Sequence, residues 1–187
     1  ELIKRNIPAG YFDGANLLTE INGLLNKQFE SDEDLALSYS NQQLFLNRKY
    51  ISKHHLKLKD IQEAAASYIL TKEGVMNTYT AYQLHHYEYE NGFHSLIQNG
   101  FHQKRSGDVI VNYNPGWIQW DSETGTTHGS CFSYDTHVPL LFWGANIKND
   151  HSDEKVEIID VAPSICLLLG ISFPNGCTGK PLKEITE

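Results

Sequence analysis

Apolar positions recur at helical spacing early in the chain, where Leu17, Leu18, Ile21, Leu24, Leu25 and Phe29 fall on one face. Asp13 stands just before that run, and its carboxylate suits a helix N-cap. A second stripe, Leu58, Ile61, Ala65, Tyr68 and Ile69, predicts a helix over residues 58–70, with Gly74 following as a stop. Between the two, residues 36–46 alternate weakly and predict one or two short strands. Residues 75–84 are rich in Thr and Tyr, which fit a pleated surface, and predict another strand. A short helix is expected near residues 91–99. The run Val109-Ile110-Val111-Asn112-Tyr113, closed by Pro115 and Gly116, reads as a strand.

The texture changes after Trp120. Residues 121–127 form a polar stretch, and residues 138–143 are an unbroken apolar run that predicts a strand buried on both faces. Residues 156–159 predict one more short strand. Asp160 then caps a helix that carries Pro163 in its first turn and ends at Gly170. The pattern is that of an α+β fold. A ferredoxin-like, helix-covered sheet is expected over residues 1–120, and residues 121–187 form a tail of strands and a helix, with the boundary near 114–121.

Composition narrows the function classes. Of 187 residues 40% are hydrophobic, enough for a core, so disorder throughout is excluded. The balance of 15 Lys+Arg against 23 Asp+Glu, a formal charge of −8 with no basic block, argues against a nucleic-acid or anionic-membrane binder. No apolar run is long enough to span a bilayer, and the opening residues lack a secretory signal. A first residue Glu1 and a single methionine, Met76, predict a piece excised from a longer chain. Cys131, Cys166 and Cys177 form no C-x-x-C pair and leave their redox state open.

Most of the nine histidines read as surface or hydrogen-bonding residues. The doublets His54-His55 and His85-His86 point to opposite faces of an extended strand and chelate poorly. His128 differs, because hydroxylated residues bracket it and Gly129 lets the backbone approach a bound group. A neutral imidazole is a good zinc ligand, provided a partner fixes its tautomer. Asp135 and His137, two apart, would share one side of a strand and could chelate a metal or support its ligands.

The run Gly-Thr-Thr-His128-Gly-Ser, then Tyr-Asp-Thr-His-Val-Pro-Leu-Leu-Phe-Trp-Gly, then residues 159–171 resembles the carboxyl-terminal part of the alkaline phosphatase superfamily. It is most similar to the phosphate-irrepressible, phosphodiesterase-like bacterial branch. The ending over residues 174–182 and the opening over residues 7–12 fit as well.

The resemblance implies an α/β parent fold in which residues 1–120 are a cap or insert and 121–187 the metal-loop segment of the catalytic domain. It implies two zinc ions, a threonine nucleophile and a small phosphate ester as substrate. In-line displacement between the two metals is the implied mechanism. His128 matches the last histidine ligand, and Thr127, Ser130, Asp135 and His137 take supporting positions. The nucleophile and the other ligands would precede Glu1, so no catalytic residue is expected in this chain and the isolated chain is expected to be inactive. A periplasmic or secreted parent follows from the same resemblance. Separately, the tail strand is left short of a partner where the parent is missing, and a dimer through that exposed sheet edge is expected. Two alternatives stand beside this reading. One is a phosphodiesterase, nucleotide pyrophosphatase, sulfatase or phosphoglycerate mutase relative of the same superfamily. The other is a non-catalytic α+β binding module.

Overall fold

The computed structural model describes residues 2–119, 127–144, 147 and 149–185. The polar stretch after Trp120 therefore lies almost wholly outside the described residues. The chain divides into two compact units, Glu1–His137 and Val138–Glu187.

The first unit opens with β1 (Gly10–Phe12) and α1 (Gly14–Gln28). Asp13 caps α1 by accepting the N–H of Asn16 at 2.9 Å, and Leu17, Ile21 and Leu25 form its buried face. Residues 36–46 resolve into two strands, β2 (Ala36–Ser40) and β3 (Gln43–Leu46). Asn41 and Gln42 join them with φ of 49° and 60°, the left-handed pair that matches the twist of a tight hairpin. Asn47 then caps a helix that the periodicity did not predict, α2 (Arg48–Lys53), and α3 (Leu58–Leu70) follows where its stripe predicted it.

The strand expected over residues 75–84 is shorter. It ends as β4 (Val75–Thr80), and α4 (Ala81–His86) takes the remainder. The reason is local: the Thr80 hydroxyl accepts the Gln83 N–H while the Gln83 side chain accepts the Thr80 N–H, a reciprocal cap that starts a helix. The unit continues with α5 (Gly92–Gly100), β5 (Val109–Tyr113), β6 (Trp117–Gln119) and a short α6 (Ser133–Thr136).

Four strands form an antiparallel sheet in the order β2-β3-β5-β4. Two helix-strand-strand units, α1-β2-β3 and α3-β4-β5, are thus joined through β3 and β5. Order and directions are those of the ferredoxin-like sandwich that the sequence suggested, with the chain entering at a helix instead of a strand. The helices α1 and α3 cover one face, where Leu17, Ile21, Leu25, Leu44, Ile61, Ile69, Val109 and Val111 make the core. At its edge Phe12 lies against Tyr113, whose hydroxyl shares a 2.6 Å hydrogen bond with that of Tyr39. Burial pushes both phenol pKa values up, so the pair stays protonated.

The strands β1 and β6 pair with each other in parallel, Gly10 opposite Trp117 and Phe12 opposite Gln119. Gly74 stands under the Trp117 ring with φ of 84°, and a Cβ there would meet the indole at 2.2 Å, so only glycine fits.

In the second unit, α7 (Val161–Leu169) ends at Gly170 in the left-handed conformation, as its sequence predicted. Asp160 precedes it but does not cap it. Its carboxylate accepts instead from the N–H groups of Glu157 at 2.9 Å and Lys180 at 2.7 Å, and so ties the tail back to the helix start. Ser164 adds a second tie, donating to the Asp160 carbonyl and accepting from the Leu182 N–H.

Two strand expectations fail here. Residues 138–143 have no strand structure, and residues 158–160 form a single 3-10 turn. Val138, Leu141 and Trp143 are 66%, 86% and 98% exposed. A strand buried on both faces needs neighbours to pair its backbone and cover its side chains, and the described residues supply none. The strand whose edge is expected to support a dimer is not formed among the described residues. Among the described residues no helix is long and apolar enough to cross a membrane.

Asp108 holds the junction of the two helix-strand-strand units. It is 2% exposed, and its carboxylate accepts from the Leu46 N–H, Arg48 Nε and Gln62 Nε2, each at 2.9 Å. Its own N–H and C=O bond to Leu44 and Ala81. Removing the carboxylate strands three buried or half-buried donors. Asp108→Ala should therefore lower the unfolding free energy by about 3–5 kcal/mol in urea titration, and Asp108→Asn by less. A loss below about 1 kcal/mol for the alanine variant would contradict this account.

Candidate functional site

The predicted ligand His128 lies on the loop between β6 and α6, exposed to solvent. Gly129 follows with φ of 110°, and a Cβ at that position would meet nothing within 4 Å. Glycine is needed there for the backbone conformation and not to admit a close neighbour, which corrects the sequence-based reason for it.

The loop is held from its far end. Asp135, on α6, accepts from the Ser130 N–H at 2.9 Å and the Ser130 hydroxyl at 2.6 Å through the same oxygen, Oδ2. These two bonds hold the Asp135 carboxyl below its ordinary pKa, with a smaller contribution from the nearby His128 ring. Thr127 donates its hydroxyl to the His128 carbonyl at 3.5 Å, the weakest contact of the group. Residues 133–136 are a helical turn, so Asp135 and His137 do not share one side of a strand. His137 terminates that turn through its backbone N–H to Ser133 and is exposed. Of the residues singled out in the sequence, the structure thus joins Ser130 to Asp135 and sets His137 apart from them. Residues 124–126 of the same motif lie outside the described residues.

Two cavities meet at this loop, and Thr127 and His128 line both. One, about 650 Å³, extends over the face of the four-stranded sheet that α1 and α3 leave open, toward α5. The other, about 570 Å³, runs along β1 and β6 past Trp117, Ser130, Tyr134 and Asp135. Sequence reasoning missed the first cavity. Its signal was Asn112, a polar residue inside the β-branched run of β5. Cys131, at the floor of the loop, is a free thiol whose pKa burial raises, the opposite of an activated nucleophile.

As a metal centre the constellation is incomplete. Among the described residues no three His, Cys, Asp or Glu side chains converge. His128 offers one nitrogen, and the carboxylate nearest to it is already engaged by Ser130. A tetrahedral zinc site needs three or four protein donors.

Comparison with known proteins gives this loop its context. No family profile matches the chain. Over 96% of its length it is 31% identical to alkaline phosphatase PafA of Elizabethkingia meningoseptica, covering 32% of that protein. It is likewise 31% identical to a Myroides odoratus protein named calcium-transporting ATPase, over 96% of this chain and 33% of that one. Alkaline phosphatase PhoV of Synechococcus elongatus is 25% identical over 90% of the chain, which covers 30% of it. The crystal structure of wild-type PafA superposes on the whole chain with a TM-score of 0.87 at 29% identity, over 35% of its own length.

The chain is alkaline-phosphatase-like. That resemblance, visible in the motifs of residues 124–182, extends in sequence and fold across nearly the whole of this alkaline-phosphatase-like chain. The chain spans about a third of the length of the curated relatives it matches.

The Asp135 tie predicts how the loop responds to acid. A carboxyl whose folded pKa is depressed contributes stability above its unfolded value and loses it as pH falls through the folded one. The Ser130 and His128 amide resonances should therefore hold their positions down to the ordinary Asp value of 3.8 and move only below it. In Asp135→Asn the same resonances should already differ at neutral pH. Movement centred well above 3.8 in the unmodified chain would mean that Asp135 does not hold the loop.

Proposed function

We propose that the protein of which this chain forms part is a zinc-dependent hydrolase of small phosphate monoesters, and that His128 is one of its metal ligands. The single observation that carries the reading is the His128-Gly129 loop, anchored by Asp135 and opening on two cavities, within a chain similar to PafA from end to end. Two zinc ions belong to this proposal, and their other donors and the nucleophile come from outside the described residues. When bound, zinc supplies positive charge against the phosphoryl oxygens.

The chain's own residues do preparatory work. Asp135 takes up the Ser130 N–H and hydroxyl, so the segment that follows the ligand is fixed before any metal arrives. Gly129 sets the turn that presents the His128 ring to solvent. Residues 1–120 serve as the cap or insert and residues 121–187 as the metal-loop segment. The exposed apolar side chains of residues 138–143 are covered by the remainder of the protein, where they regain the strand pairing their sequence implies. A periplasmic or secreted location, no nucleic-acid partner and the absence of turnover by this chain alone complete the proposal.

In the intact protein, hydrolysis of p-nitrophenyl phosphate should depend on added zinc. His128→Ala should lose about one zinc equivalent by elemental analysis and lower kcat/KM more than about 100-fold, beyond what outer-shell changes cost. Unchanged zinc content in the variant would remove His128 from the metal. Robust turnover by the 187-residue chain alone would overturn the assignment of the nucleophile to the rest of the protein.

A further inference from the structure

The 650 Å³ cavity beside His128 has a wall composition that the phosphate chemistry does not use. No Lys, Arg, Asp or Glu lines it among the described residues, so it offers nothing to an ionised phosphate. One wall is α5, which presents Leu96 and Ile97, and Phe101 just beyond the helix. This helix buries none of its residues: Phe93 packs edge-on against Phe132, while Leu96 and Ile97 line the open cavity. The facing wall is the second face of the sheet, with the carboxamides of Gln42 and Asn112 and the apolar Ile110.

Asn112 is the informative member. Val109, Val111 and Tyr113 point into the core, so alternation along β5 turns Asn112 to the opposite face. It is 3% exposed, and its Nδ2 has no hydrogen-bond partner. A buried amide donor without an acceptor is destabilising, and a strand interior would be more stable with an apolar residue there.

We infer that this cavity receives the leaving group of the phosphate ester, and that it is shaped for a neutral heteroaromatic ring of the nucleoside kind. A flat ring lies against Leu96, Ile97 and Phe101, while its hydrogen-bonding rim meets carboxamides that both donate and accept. A polyol would set hydroxyl groups against the apolar helix, and among the described residues a charged group would find no Lys, Arg, Asp or Glu to pair with. His128 at the cavity mouth places the phosphorus end of such an ester at the metal side and its ring inside. This inference rests on the phosphomonoesterase reading and names its substrate class.

Two substitutions test it in the intact protein. Gly100 lines the cavity at the last turn of α5, and a side chain there meets nothing within 4 Å, so Gly100→Trp fills the space without displacing a neighbour. Asn112→Leu removes the unpartnered amide at similar volume. Adenosine binding is measured by calorimetry, and kcat/KM is compared for adenosine 5′-phosphate and methyl phosphate. Wild type should bind adenosine, and each variant should weaken that binding at least about tenfold. The preference for adenosine 5′-phosphate over methyl phosphate should fall by a similar factor. The thermal midpoint of Asn112→Leu should equal or exceed that of wild type, which a structural asparagine would not allow. Failure of wild type to bind adenosine, or an affinity indifferent to Gly100→Trp, overturns the inference. Adenosine binding without turnover of either ester overturns the phosphomonoesterase reading while the ring site stands.

Discussion

The first unit of this protein depends on a buried carboxylate at its seam. The strands β3 and β5 are held in register by only two residue pairs, Gln43 with Ile110 and Leu44 with Val109, yet they join both halves of the sheet. Asp108 sits directly before β5 and reaches backbone on β3, the guanidinium of Arg48 on α2 and the amide of Gln62 on α3. Gln62 in turn accepts the Tyr82 N–H at the start of α4. One buried side chain therefore ties the start of β5 to β3, α2 and α3, and through Gln62 to α4, and its cost of burial is offset only because every partner is present at once.

The candidate site uses the same device on a smaller scale. Asp135 satisfies two donors of Ser130 with one oxygen and thereby fixes the backbone three residues after Thr127. The two carboxylates differ in surroundings. Asp108 is enclosed by the fold, whereas Asp135 works near solvent, where its hydrogen bonds and not its burial set its behaviour. A loop tied in this way can stay open to water and still present its histidine in one direction, as the metal-ligand role proposed for it would require.

Much of this was legible from residues alone, and the exceptions have physical causes. Periodicity located α1 and α3 because each carries a continuous apolar stripe, and Val109 to Val111 stood out as β-branched. Short helices were missed because α2 and α4, six residues each, are decided by caps, Asn47 and Thr80 with Gln83, and not by a stripe. Residues 138–143 misled for a different reason. Their pattern encodes burial by partners that the described residues lack, so hydropathy reported a context and not a local structure. At the site, the resemblance of residues 124–182 to alkaline phosphatases was legible in their motifs. The cavity was not, because Gln42, Leu96 and Asn112 converge only once the sheet has formed.

The parallel pairing of β1 with β6 gives the architecture a modular character. Parallel neighbours must be linked by a crossover, for which a dozen or so residues suffice. Here the crossover is residues 13–116, the entire helix-covered sheet. Everything between Phe12 and Trp117 is thus an elaborated connection hung on a two-strand stem, and the histidine loop follows the stem and not the elaboration. The apolar helix and the carboxamides of the ring cavity therefore belong to the elaboration, whereas the imidazole at its side belongs to the segment that follows the stem.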